Sequence, residues 1–269
     1  MEKKPAAVAW VGGFVLLSLY VNLMPRLFDA GNVSAWFAYW AGFFLLAFWV
    51  SKYVLRLDGL KQLGMQRHKG WGANLALGFL VGVVLYAFKY WVYYKSGKYE
   101  VAGVREVSFI LPMLGQALLA MFFSSILNDI TIRGYWYAYF SRRQLLGWYL
   151  VGATVLYAFD DFWNGSVNVQ NLLFSAILGF TFAYTVLKTG AIWMSLGLHW
   201  GGNVMFRVMY GFDGQGVLKL EHVQEGPFFD YLNLLITALL IPVVYFRLRG
   251  KSKNNARSVS PPGKVVSPG

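Results

Sequence analysis

The chain has 269 residues, 57% hydrophobic and only 13% charged, with a mean hydropathy of +0.47. A soluble domain carries about 25% charged residues, so a water-soluble fold is excluded and one bundle of spanning helices, each about 20 apolar residues long, is expected. The net charge of +12 would suit nucleic acid in a soluble protein, but Lys and Arg gather here in loops and the tail, which points to membrane lipids with anionic headgroups as partners and away from nucleic acid.

The first segment begins with Glu2-Lys3-Lys4 and an apolar run from Ala6 to Met24. Pro25-Arg26 follows in place of a small-x-small cleavage pattern, so this segment reads as an uncleaved helix. Hydropathy then places further spans at Val33–Leu55, Trp71–Tyr94, Val107–Phe140, Leu145–Trp163, Val169–Leu187, Ala191–Tyr210 and Phe229–Phe246, eight in all. The fourth exceeds a simple span, so it tilts or extends beyond the bilayer. Residues 1–249 are expected to form an all-α bundle. Residues 250–269, rich in Ser, Pro, Gly, Asn and basic residues, read as a disordered cytoplasmic tail.

Orientation follows from Lys and Arg. With the N-terminus inside, the inner segments hold 16 of them and the outer loops 6, with Lys89 and Arg133 inside spans. That asymmetry places both termini in the cytoplasm, and an integral plasma-membrane location is expected. Trp36, Tyr39, Trp40, Trp71, Trp91, Tyr93, Tyr94, Trp148 and Tyr149, near proposed span ends, read as interfacial belts.

Three polar islands interrupt the apolar segments: Asn128-Asp129 with Arg133-Gly134, Asp160-Asp161, and His199 with Asn203. Ionisable groups at membrane depth are costly; they face a bundle interior, pair with one another and mark function. Asp129 and Arg133 stand four apart, as do His199 and Asn203, so each pair shares a helix face. Gly201 and Gly202 permit close approach of a neighbouring helix. Asp160 and Asp161 point about 100° apart on a helix, so one is expected to face the bundle and the other the headgroup zone near Trp163. Helix rise puts Asp129 about 20 Å from Arg142 and His199 about 17 Å from Lys188, but Asp161 about 27 Å from Arg143, nearer the outer side. Asn74, Gln116, Asn171 and Lys89 read as structural or snorkelling groups. Gly211-Phe212-Asp213-Gly214 reads as a turn. With His68 and His222 in loops and no cysteine, no three-His or thiolate metal site is expected, and neither is a cofactor.

From about Gln116 to Asn203 the chain resembles the CPBP family, the CAAX proteases and bacteriocin-processing enzymes, which are intramembrane endopeptidases. The resemblance rests on Asn128-Asp129-Ile130-Thr131-Ile132-Arg133-Gly134 against the family's Glu-Glu-x-x-x-Arg, on Tyr157-Ala158-Phe159-Asp160-Asp161 against Phe-x-x-x-His, and on His199-Trp200-Gly201-Gly202-Asn203 against His-x-x-x-Asn. The run Thr189-Gly190-Ala191-Ile192-Trp193-Met194-Ser195-Leu196 precedes the last. It implies a CAAX-protease-like bundle with its core at about 107–210. It also implies Asp129, His199 and Asn203 as the catalytic set, supported by Asn128, Arg133, Asp160 and Asp161. The departures bear on activity, because an amide at Asn128 is no general base and an acid stands where the second motif has His. An atypical membrane endopeptidase acting on a membrane protein or peptide, an inactive protease-derived scaffold that binds protein segments or lipids, and a small transporter are the three readings. The last lacks the repeat symmetry such transporters show.

Overall fold

The computed structural model describes residues 5–29, 31–160, 163 and 168–250. Asp161 and the tail beyond Gly250 lie outside the described residues. The helices are α1 (Ala7–Leu23), α2 (Val33–Trp49), α3 (Trp71–Lys95), α4 (Val107–Asn128), α5 (Tyr135–Arg142), α6 (Leu146–Asp160), α7 (Val169–Thr189), α8 (Trp193–Tyr210), α9 (Pro227–Ala238) and α10 (Leu240–Leu248). A π-helical segment, Asp129–Gly134, joins α4 to α5, and a single turn at Leu239 separates α9 from α10. With each of these pairs taken as one segment, eight helical segments stand where eight apolar runs were expected. The overlong fourth span is one continuous helix, Val107–Arg142.

Among the described residues, six of the eight are long and apolar enough to cross a membrane. Helix α6 is described over only 15 residues. Helix α8 carries His199, Asn203 and Arg207 but is mostly buried, and a helix surrounded by protein needs no uniformly apolar surface.

Helix α8 is held against α3 by interlocking glycines. A Cβ on Gly78 or Gly82 of α3 would collide with the carbonyl oxygens of Met194 or Leu198. One on Gly197 or Gly201 of α8 would collide with those of Leu75 or Phe79. Backbones approach this closely only where side chains are absent, which is how membrane helices gain dispersion contact without a hydrophobic driving force. The expectation for Gly201 therefore holds, with α3 as the partner.

The α2–α3 connection folds into the bundle. The Ile192 N–H donates to the Gly64 carbonyl at 3.0 Å and Trp193 Nε1 to the Gln66 carbonyl at 2.8 Å. The Leu63 carbonyl lies directly on Gly134, where any side chain would clash. Outside the helices, β1 (Glu100–Val104) pairs antiparallel with β2 (Leu218–Glu221), tying the α3–α4 connection to that between α8 and α9. Hydropathy gave no sign of this ribbon. The Gly211–Gly214 turn is present, with the Gln215 N–H donating to Asp213 Oδ1 at 3.2 Å.

The aromatic belts divide. Trp91, Tyr94 and Trp148 are exposed, as an interface position requires, but Tyr39, Trp40, Tyr93 and Tyr149 are buried in the core. Lys89 does not snorkel outward. Its ammonium is buried over the ring of Tyr86, 3.8 Å from the centroid, and donates to Asn233 Oδ1 at 3.3 Å. Asn74 is buried in α3, whereas Gln116 and Asn171 lie on exposed faces.

Candidate active site

Asp129 and Arg133 stand at the two ends of the π-helical segment, and both are fully buried. The i→i+5 pattern widens one turn, a feature that recurs at functional sites. Arg133 Nη1 lies 3.1 Å from Asp129 Oδ2, so the expected ion pair forms. The same nitrogen donates to Asn128 Oδ1 at 3.0 Å. The guanidinium is sandwiched between aromatic faces, its carbon 4.4 Å from the ring centroid of Tyr157 and 4.6 Å from that of Phe182. Cation–π contact of this kind offsets part of the cost of burying the charge.

Helix α8 supplies the other half. His199 Nδ1 lies 3.0 Å from Asp129 Oδ2, and the Ser195 hydroxyl donates to Asp129 Oδ1. One carboxylate thus faces three donor groups: a guanidinium, an imidazole and a hydroxyl. An ionised carboxylate only accepts hydrogen bonds, so Nδ1 of His199 carries the hydrogen and Nε2 the lone pair when the ring is neutral. The ring packs nearly parallel to Phe182 and edge-on to Tyr157, and 12% of the His199 side chain is exposed. One turn further along α8, Asn203 Nδ2 donates to Ser125 Oγ at 3.3 Å. His199 and Asn203 therefore both face α4, as their spacing requires.

The second island joins through Asp160. Asn128 Nδ2 donates to Asp160 Oδ2 at 2.9 Å, and Asn22 Nδ2 of α1 to Asp160 Oδ1 at 3.4 Å. Asp160 is thus the acid that faces the bundle; Asp161 lies outside the described residues. A continuous chain of polar contacts runs from Asn22 through Asp160, Asn128 and Arg133 to Asp129, His199 and Ser195. Among the described residues no three metal-ligating side chains converge, and the Asp129 cluster brings one carboxylate and one imidazole.

Residues 110–205 match the family model described as type II CAAX prenyl endopeptidase Rce1-like. The match supports membership of the CAAX-protease family. No curated protein and no solved structure matches the chain. The matched segment contains Asn128, Asp129, Arg133, Asp160, His199 and Asn203, so the polar cluster falls almost wholly within it.

Several contributors to the site were not singled out from sequence. Ser195 and Ser125 each sit four residues before a candidate, His199 and Asp129, so helical spacing would have found them. Tyr149, whose hydroxyl donates to the Arg133 carbonyl at 3.3 Å, and Asn22 come from other helices and have no such local signal.

Proposed function

We propose that this chain is a membrane endopeptidase of the CAAX-protease kind with a reduced site, in which Asp129 and His199 form the water-activating pair. The observation that carries this reading is the 3.0 Å contact between His199 Nδ1 and Asp129 Oδ2, made across 70 residues of sequence inside the segment that matches a prenyl endopeptidase model. With Asp129 held by Arg133 and Ser195, its role is to fix the imidazole, and the ring accepts the proton as water oxygen attacks the scissile carbonyl carbon. The same proton then passes to the leaving amide nitrogen. In this reading Asn203, on the same face of α8, uses the second N–H of its amide, the first being given to Ser125, to donate to the carbonyl oxygen as charge develops there. Substrates of this reading are membrane-embedded or prenylated peptides. The positive-inside asymmetry supports an orientation with both ends of the bundle on the cytoplasmic side, and this reading puts the protein in the plasma membrane.

Asn128 favours a second reading, a protease-derived scaffold without turnover. Its amide cannot act as a base, and both of its polar ends are engaged, one by Arg133 and one by Asp160. The deciding experiment reconstitutes the full chain in liposomes with prenylated and unprenylated membrane peptides and detects products by mass spectrometry. Slow cleavage lost in both Asp129→Ala and His199→Ala is expected. Cleavage that survives Asp129→Ala refutes the pair, and no product from the natural chain leaves the scaffold.

A further inference from the structure

A cavity of about 370 Å³ lies between α7 and α10, far from the polar cluster in chemistry. Phe180, Thr181 and Tyr184 line it from one side and Ile241, Pro242 and Tyr245 from the other. Thr181 spends its hydroxyl on the Ile177 carbonyl at 2.7 Å, so the lining is effectively apolar. The groove sits where the last span is interrupted: Leu239 is a turn, and Pro242 has no N–H to give to the preceding turn of helix. Both walls belong to segments apolar enough to cross a membrane, so the groove opens toward hydrocarbon.

Both helices end in cations on the same side of this groove. Lys188 Nζ lies 5.4 Å from the ring centroid of Tyr184, and the Arg249 guanidinium carbon 5.2 Å from that of Phe246, which also lines the cavity. Tyr184 and Tyr245 face each other across it, with centroids 6.3 Å apart. Neither residues 180–190 nor 240–250 contain an Asp or Glu. The site therefore combines an acyl-sized apolar slot with two cations, Lys188 and Arg249, each set over an aromatic ring at the end of its helix.

We infer that this groove binds one acyl chain of an anionic phospholipid, whose headgroup phosphate is held by Lys188 and Arg249. A zwitterionic lipid fills the same slot without gaining from the cations, so the site selects for net negative charge. The inference does not depend on any proteolytic activity.

The test uses the full-length chain, delipidated in mild detergent and offered equal amounts of phosphatidylglycerol and phosphatidylcholine, with bound lipid read by native mass spectrometry. Preferential retention of phosphatidylglycerol is expected, falling by about fivefold for each cation neutralised. The combined Lys188→Gln, Arg249→Gln variant, with its tail intact, should bind the two lipids equally. Lys251→Gln, Lys253→Gln, Arg257→Gln, Lys264→Gln should keep the preference. Ile241→Trp, which fills the slot, should reduce retention of both. Equal binding by the natural chain, a preference that survives the groove variant, or one lost only in the tail variant overturns the inference. Unchanged unfolding temperatures identify the variants that remain folded.

Discussion

Replacing Arg133 tests the energetic centre of the bundle. Arg133 is fully buried, and its Nη1 serves both Asp129 Oδ2 and Asn128 Oδ1, while Nε and Nη2 have no hydrogen-bond partner among the described residues. Breaking one side of a buried pair costs about 3–5 kcal/mol because the other charge is left without compensation. For Arg133→Ala the lower end applies, about 3 kcal/mol, since His199 and Ser195 still donate to Asp129. For Asp129→Ala the upper part of the range applies, about 4 kcal/mol, because the guanidinium keeps only Asn128 and two aromatic faces. The double variant removes both charges together and retains mainly the cost of lost packing. It should therefore be about 2 kcal/mol better than the two single losses added. Reversible unfolding of all four proteins in the same bicelles, followed by tryptophan fluorescence, measures this coupling. Arg133→Met, which restores most of the volume, should recover part of the packing loss and none of the coupling. Additivity within about 0.5 kcal/mol would refute the ion-pair argument.

Asn128→Asp places a second carboxylate against Asp160 and should lower the unfolding temperature, with a loss of about 2 kcal/mol; adding Asp160→Asn restores a donor–acceptor pair and should recover most of it. Gly78→Leu forces α3 off α8 and should cost about 2 kcal/mol or more, whereas Gly72→Ala, with open space at its Cβ, should be neutral or slightly stabilising in the same unfolding assay. The chain has no cysteine, so single cysteines report topology cleanly: His68→Cys should resist an impermeant reagent on intact cells and Ser96→Cys should react, and the reverse pattern would invert the orientation.

The sequence by itself determined the helices and the class of the protein. Apolar runs of spanning length leave the backbone no alternative in lipid, because every N–H and C=O must be satisfied within the segment. It also determined which side chains share a face: the pairing of Asp129 with Arg133 and the common direction of His199 and Asn203 follow from helical spacing. The tertiary structure decided what spacing cannot carry. Asp160 turns inward because an amide from α4 and another from α1 meet its two oxygens, contacts that span 32 and 138 residues. Tyr149 and Tyr39 look like interfacial aromatics in sequence and become core residues through their neighbours. The exclusion of any side chain at Gly134, the last residue of the π-helical turn, arises from the packing of the Leu63 carbonyl, which lies on a different connection of the chain. Local pattern fixes where a side chain points along its own helix; only the packed bundle fixes what it meets there.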